Sequence, residues 1–273
     1  MTEAPFNFDV SSYPPLPKLK GLLVVGTDTG VGKTIVAGAI ARCLRHAGKS
    51  VEVFKPVATG CRRTFEGLVS EDAQFLAACA DSRRSLAEIA PLRFGPALAP
   101  NVAAARTGRT VDLEAIFDGY RRLKDAAEVV VVEGVGGLLC PLSDKFWLIH
   151  LAKMLALPVV IVCRAHLGTI NHTLLTIHAA RSAGLHVAGV VMNRYRADGQ
   201  PRQATEGAAP DEPSPWDDDL AIFTNPEQIA NLGRTEVLAV VPEEAANNVA
   251  KATLGEDTIY CISQGPWERI IGE

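Results

Sequence analysis

Six short runs of apolar residues recur along the chain, at residues 22–25, 51–54, 129–132, 159–163, 187–192 and 237–241. Apart from Glu52, each run is continuously apolar, which is typical of strands that are buried on both faces of a parallel sheet. Between the runs, helical spacing predicts helices at 34–47 and 170–183, which end before Gly48 and Gly184. The alternation predicts an α/β fold, a doubly wound and mostly parallel sheet with helices on both faces.

Two segments depart from this rhythm. Residues 194–219 are rich in proline, end in an acidic run and hold few apolar residues, so we predict a mobile surface insertion there. A lid over the ligand site is the alternative role, because the insertion follows directly after a strand. A proline-rich stretch precedes the first strand, so residues 1–18 are predicted to be an extended arm and residues 19–273 a single domain.

The stretch Gly-Thr-Asp-Thr-Gly-Val-Gly-Lys-Thr at 26–34 joins the first predicted strand to the first predicted helix. Its glycines let backbone amides approach a polyanion, and the helix N-terminus adds partial positive charge. This is a variant P-loop, because Thr27 stands where the strict pattern has glycine. We therefore predict ATP as a co-substrate. The residues expected to bind it are Thr27, Asp28, Thr29, Gly30, Val31, Gly32, Lys33, Thr34 and Ile35.

Polar or charged residues follow four further strands at the edge where ligands bind in such sheets, namely Lys55, Glu133, Arg164 with His166, and Asn193. Lys55 follows the second strand and could face the γ-phosphate opposite Lys33. Glu133 follows the third strand, where a carboxylate holds Mg²⁺ in many ATPases, although it could instead cap the next helix. Asp72 is weaker on pattern alone, since an acid in the first turn of a helix is common.

Composition narrows the class of function. The formal net charge of −4 and the pI near 5.9 give no general attraction to nucleic acid or acidic membranes. The six cysteines stand singly and the histidines form no ligand-spaced pair, so we expect neither a disulfide framework nor a transition-metal site. No secretory signal and no apolar run of spanning length is apparent, and we predict a cytoplasmic protein that acts on small molecules.

Several motifs, in this order, resemble the dethiobiotin synthetase family. Besides the phosphate loop they are Lys-Pro-Val-Ala-Thr-Gly at 55–60, Glu-Asp-Ala at 71–73, Val-Glu-Gly-Val-Gly-Gly at 132–137 and Leu-Gly-Thr-Ile-Asn-His at 167–172. The first and last of these four are absent from generic P-loop proteins. The resemblance covers about residues 21–193.

The resemblance implies an enzyme that closes a cyclic urea from 7,8-diaminononanoate, CO₂ and MgATP in biotin synthesis. One amine captures CO₂ as a carbamate, the carbamate takes the γ-phosphoryl group, and the second amine attacks the resulting anhydride. The implied magnesium ligands are Thr34, Asp72 and Glu133. The implied catalytic residues are Lys33, Lys55 and Thr59. The implied substrate-binding residues are Lys55, Thr59, Glu133, Gly136, Gly137, Leu167, Gly168 and Asn171.

The resemblance also implies a homodimer, because in the family the segment matching residues 167–171 comes from the second subunit. Backbone amides at that predicted helix N-terminus would hold the far carboxylate of the substrate. Asn193 matches the asparagine that contacts adenine. His166 departs from the family, whose members often carry lysine there.

Two other classes share this ancestry. A ParA- or MinD-like switch ATPase often has an extra lysine early in the loop, at the place that Asp28 fills here. A glutamine-dependent cobyrinate amidase would need a further glutaminase domain, for which the rest of the chain is too short.

Overall fold

A computed structural model describes residues 8–65, 67–196 and 219–272. The strands in these ranges are β1 (Gly21–Gly26), β2 (Val51–Phe54), β3 (Val57–Ala58), β4 (Arg62–Thr64), β5 (Gly67–Val69), β6 (Leu92–Arg93), β7 (Val129–Gly137), β8 (Val159–Arg164), β9 (Val187–Tyr195) and β10 (Val237–Pro242). The helices are α1 (Lys33–His46), α2 (Glu71–Ala80), α3 (Leu86–Ile89), α4 (Pro100–Arg106), α5 (Leu113–Arg121), α6 (Leu148–Leu155), α7 (Thr169–Ser182), α8 (Asp219–Gly233), α9 (Glu256–Ser263) and α10 (Trp267–Gly272).

The six predicted strands form the central sheet. Their spatial order is β10–β9–β8–β1–β7–β2, and every pair of neighbours is parallel. Two small two-stranded sheets, β3 with β6 and β4 with β5, lie outside it. The helices predicted at 34–47 and 170–183 are α1 and α7, each displaced by one residue. The prediction of a mostly parallel, doubly wound sheet is therefore confirmed.

Two apolar cores flank the sheet because alternate residues of a strand point to opposite faces. Leu23 and Val25 of β1 pack into one core, with residues of α4, α5, α6, α7 and α8. Leu22 and Val24 pack into the other core, with residues of α1, α2, α9 and α10. Burial on both faces explains why these strands read as continuous apolar runs.

Several strands extend beyond their apolar runs, which corrects where the sequence analysis ended them. Glu133 lies inside β7 and is paired with Val24 of β1, and the strand continues to Gly137. Asn193 lies inside β9, in register with Arg164 of β8. A polar side chain does not end a strand whose backbone still pairs with its neighbours. Glu133 is thus a strand residue and does not cap a helix.

The two atypical segments are only partly described. Residues 8–20 form no helix or strand, and their Tyr13 ring packs edge-on against Phe146 with ring centroids 4.8 Å apart. Most of the expected insertion at 194–219 lies outside the described residues, as do residues 1–7 of the expected arm. At its start the boundary was wrong, because Arg194 and Tyr195 belong to β9. Within the described ranges, no helix is both long and apolar enough to cross a membrane.

Candidate active site

The phosphate loop occupies residues 27–32, between the end of β1 and the start of α1. Gly30 and Gly32 have φ angles of 73° and 93°, which favour glycine. A Cβ atom on Gly32 would lie 1.9 Å from Nδ2 of Asn193, so only glycine fits at that position. The loop of this chain therefore requires glycine for its backbone conformation and for the close approach of a neighbouring side chain.

Asn193 supports the loop from the side of β9. Its Nδ2 donates a 2.9 Å hydrogen bond to the carbonyl oxygen of Val31, and its side chain is buried. The sequence analysis assigned Asn193 to the adenine through family resemblance. The structure gives it a contact that the pattern of the sequence did not indicate, because the contact depends on how β9 lies beside the loop.

Lys33 lies beneath the loop and is almost fully buried. Its ammonium donates to the carbonyl oxygen of Asp28 at 2.9 Å. Among the residues that the structure describes, no carboxylate forms an ion pair with it. Burial, reinforced by the nearby positive charge of Lys55, lowers the pKa of Lys33 to about 8. The two lysines predicted to act on one phosphate are therefore close enough to affect one another.

Lys55 is the centre of a group that we call the carboxylate cluster, defined as Lys55, Asp72, Glu133 and Thr34. The Nζ atom of Lys55 lies 2.6 Å from Oε1 of Glu133 and 3.0 Å from Oδ2 of Asp72. The Thr34 hydroxyl donates to the same Glu133 oxygen at 2.9 Å. The structure thus brings together the three side chains expected to hold magnesium and one of the two expected lysines.

The sheet register explains why Lys55 meets Glu133. Phe54 of β2 pairs with Val132 of β7, so the next residues along the two parallel strands lie side by side. Asp72 comes from the first turn of α2, whose N-cap is Ser70. Asp72 is therefore both an acid in the first turn of a helix and a member of the cluster, so the two roles weighed for it are compatible.

The charges of the cluster are strongly coupled. Burial disfavours the ammonium of Lys55, but the two carboxylates outweigh burial and raise the pKa of Lys55. Burial opposes ionisation of Asp72 as well, but the ion pair with Lys55 outweighs it and holds the pKa of Asp72 below its ordinary value. Glu133 is the most buried member, and burial raises its pKa despite the same ion pair. Its Oε2 atom is buried and has no hydrogen-bond partner among the described residues.

A cavity of about 370 Å³ opens between the phosphate loop, the end of β7 and α7. Its lining includes Thr27 and Asp28 of the phosphate loop, His172 and Thr176 of α7, and three leucines, Leu138, Leu139 and Leu175. Gly136 adjoins it with φ 61°, and a Cβ atom there would lie 2.9 Å from Sγ of Cys140. Gly137, one of the two glycines of β7 expected to bind substrate, borders the cavity.

The other predicted site residues lie outside the carboxylate cluster. Thr59 is half-buried and follows β3. Gly168 is the N-cap of α7 with φ 87°, and Leu167 and Asn171 beside it are exposed. Ile35 packs its side chain against Phe75, so any nucleotide contact of Ile35 would come from its backbone.

One functional candidate, Arg164, was expected at the ligand edge of the sheet but was given no role. Arg164, the last residue of β8, donates from Nη2 to the carbonyl oxygen of Thr29 in the phosphate loop at 2.9 Å. A charged residue that ends a buried strand at the ligand edge is the signal that placed it there.

The fold and the loop define a nucleotide-binding protein of the P-loop class. A family model described as an AAA domain matches residues 20–249. Among solved structures, the MinD cell division protein of Aquifex aeolicus aligns with a TM-score of 0.54 and 16% identity, covering 93% of this chain and 98% of that one. At this identity the likeness shows the fold alone.

Within that class, the sequence identifies the family. The ATP-dependent dethiobiotin synthetase BioD of Bacillus subtilis subsp. natto is 36% identical over 236 residues, which cover 86% of this chain and 92% of the relative. That of Anaeromyxobacter dehalogenans strain 2CP-1 is 41% identical over 226 residues, covering 83% and 91%. The chain belongs to the ATP-dependent dethiobiotin synthetase family, and the resemblance inferred from its motifs is confirmed.

Proposed function

We propose that this protein is an ATP-dependent dethiobiotin synthetase, a ligase that closes a cyclic urea on 7,8-diaminononanoate. The observation that carries the proposal is that Lys33, Lys55 and two carboxylates lie close together at the phosphate loop in a chain of this family. Such a site suits a reaction in which two anions must be brought together.

The reaction has three bond-forming steps. One amine of the substrate attacks CO₂, which forms an N–C bond and, on loss of a proton, a carbamate. A carbamate oxygen then attacks the γ-phosphorus of ATP and releases ADP. The second amine attacks the carbonyl carbon of the resulting carbamic-phosphoric anhydride, the C–O bond to phosphate breaks, and the amine loses a proton as the ring closes.

The second step requires cations, because a carbamate and a triphosphate repel one another. Lys33 lies beneath the loop that would hold the phosphates, and Lys55 approaches from the side of β2. We assign both lysines to stabilising the transferring phosphoryl group and Lys55 also to the carbamate. Thr59, on the chain that follows Lys55, is assigned to hydrogen bonding with the diamine or the carbamate.

Magnesium fits the carboxylate cluster. Glu133 carries a buried oxygen with no partner in the described part of the chain, and the Thr34 hydroxyl lies against the other oxygen of that carboxylate. Magnesium prefers oxygen ligands, and we propose that Thr34, Asp72 and Glu133 hold it directly or through water. When bound, it would neutralise charge on the β- and γ-phosphates.

We further propose that the active site is completed by a second copy of the chain. Leu167, just before α7, and Leu175, in the middle of α7, are 70% and 59% exposed, and Leu175 also lines the cavity. Exposed apolar residues at the mouth of a site favour a subunit contact. In the dimer, backbone amides at Gly168 and the side chain of Asn171 would bind the distal carboxylate of the substrate. The dependence on ATP favours the cytoplasm as its location.

The test of the function is an assay with 7,8-diaminononanoate, bicarbonate and MgATP that follows phosphate release together with formation of the cyclic urea. We expect one phosphate for each product molecule and little ATP hydrolysis without the diamine. ATPase turnover that is indifferent to the diamine would exclude the synthetase and favour the switch-ATPase alternative.

The test of the dimer is the mass in solution. We expect light scattering to give twice the chain mass of 29.1 kDa and Leu175→Asp to lower it toward the monomer. Tyr260→Asp is a control, because Tyr260 is comparably exposed but lies on α9, on the other face of the sheet. A wild-type monomer that is active when dilute would contradict the shared site.

A further inference from the structure

Two side chains hold the phosphate loop from outside. Arg164, the last residue of β8, and Asn193, inside β9, lie at the same level on neighbouring strands, since the two residues are paired in the β8–β9 register. Arg164 donates to the carbonyl oxygen of Thr29, and Asn193 donates to that of Val31, each at 2.9 Å. The two bonds flank Gly30, where the loop turns back toward α1.

These two bonds fix the direction of two backbone amides. In a trans peptide, the carbonyl of one residue and the N–H of the next point in opposite directions. The structure contains no cis peptide among the residues it describes. A carbonyl of Thr29 that is drawn toward Arg164 therefore turns the N–H of Gly30 away from that side. The bond from Asn193 to Val31 does the same for the N–H of Gly32. Converging amides of this kind are what a phosphate loop uses to bind its anion.

The position of Arg164 is itself fixed. Asn225 of α8 is buried and donates from Nδ2 to the carbonyl oxygen of Ala165 at 3.0 Å, which anchors the chain immediately after Arg164. The guanidinium lies against the outer side of Gly30, since a Cβ atom there would be 3.6 Å from Nη2. The guanidinium also faces Asp28, whose carboxylate is 4.0 Å away.

The contacts of Arg164 do not indicate that this side chain serves mainly to stabilise the fold. Its Nε atom is buried and lacks a hydrogen-bond partner within the described ranges. A buried donor without an acceptor opposes folding. Arg164 has such a donor and also donates a hydrogen bond to a loop carbonyl, so its role is better explained by its effect on the conformation of the phosphate loop.

We propose that Arg164 is a positioning residue, which orients the Gly30 amide toward the phosphates of the nucleotide through the Thr29 carbonyl. The inference rests on the proposed function only in that the loop binds ATP. It concerns binding of the nucleotide and is independent of the identity of the second substrate.

The test is Arg164→Met in the full-length protein, with nucleotide binding measured by calorimetry in the absence of the diamine. Because the loss of one charge-assisted hydrogen bond corresponds to about tenfold in affinity, we expect the Kd for MgATP to rise about tenfold. In turnover we expect the KM for ATP to rise similarly while kcat stays within about threefold. The thermal midpoint without nucleotide should be unchanged or higher. Arg164→Lys should recover part of the affinity.

The control is Arg269→Met, which removes an exposed arginine that pairs with Glu236. Glu236 directly precedes β10, so this pair lies at the amino ends of the strands, away from the ligand site. We expect no change in its Kd for ATP. An unchanged Kd in Arg164→Met would overturn the proposal, and so would a lowered thermal midpoint with kcat and affinity falling together. Failure of the proposed synthetase activity would leave each of these binding results interpretable.

Discussion

The two lysines of the site lie in opposite electrostatic surroundings. In the phosphate loop, Lys33 is buried against a backbone carbonyl, and its pKa is lowered to about 8. In the carboxylate cluster, Lys55 contacts Asp72 and Glu133, and its pKa is raised. The same type of side chain is thus disfavoured in its charged form in one region and favoured in the other.

The difference indicates which partner each lysine requires. Lys33 has no carboxylate partner among the described residues, so an arriving phosphate would be its counter-ion. The positive charge of Lys55 is already balanced by the carboxylates of Asp72 and Glu133 before any ligand binds. We infer that the phosphate loop gains a missing counter-ion for Lys33 when an anion binds. The carboxylate cluster, in contrast, stabilises the fold and also takes part in the reaction.

The largest effect is expected from Lys55→Gln. The change leaves the buried carboxylates of Asp72 and Glu133 without their cation, and breaking such a pair destabilises a protein by about 3 kcal/mol. Turnover should fall at least about a hundredfold through the loss of one charge stabiliser, with ATP affinity nearly intact. Chemical denaturation, kcat and the Kd for ATP measure the three quantities.

The double variant Lys55→Gln with Glu133→Gln separates the effect of Lys55 on stability from its effect on turnover. Removing the most buried carboxylate should restore much of the stability but none of the turnover. Near-normal turnover in Lys55→Gln would mean that this lysine is structural only.

Gly32→Ala should have the next largest effect. Its φ of 93° and the 1.9 Å approach of Asn193 both oppose a side chain, so we expect a loss of at least about 2 kcal/mol and weaker ATP binding. Gly48→Ala is a matched control at the other end of α1, with φ 84° and open space around it. It should lose about 1 kcal/mol and leave ATP binding unchanged. Equal effects of the two substitutions would show that Asn193 does not restrict the loop.

Lys33→Met should act in the opposite direction on stability. Removing a buried charge without a carboxylate partner should stabilise the nucleotide-free protein by about 1 kcal/mol, although turnover is lost. Thermal unfolding without and with ATP is the measurement, and the wild type alone should be stabilised by the nucleotide. Destabilisation of the nucleotide-free variant would contradict the contrast between the two lysines.

The smallest effect is the pH dependence of the difference in stability between Lys33→Met and the wild type. Because the pKa of Lys33 falls from 10.5 to about 8 on folding, the unfolded chain binds more protons between these values. The contribution of Lys33 to stability therefore rises with pH across this window. The advantage of Lys33→Met should be full below pH 8 and should shrink as the pH rises toward 10. An advantage that is constant to pH 10 would show that desolvation of the charge is not its cause.

The sequence predicted the six strands of the central sheet but not the short strands β3 to β6, because burial on both faces leaves a largely apolar run only in the central strands. It predicted poorly where Glu133 and Asn193 lie within their strands, since the backbone pairing continues past the last apolar residue. It identified Lys33 from the phosphate-loop motif and Lys55 from its place after a strand, but it did not indicate how different the electrostatic surroundings of the two lysines would be.

The chain by itself determined the order of strands and helices, the phosphate loop and the family, because these depend on local periodicity and on motifs that are contiguous in sequence. Only the tertiary structure decided which side chains meet. Lys55 reaches Glu133 through the register of β2 on β7, and Arg164 and Asn193 reach the loop through the order of β1, β8 and β9. Contacts between residues far apart in sequence depend on the packing of the sheet, and burial then sets the charge of each group.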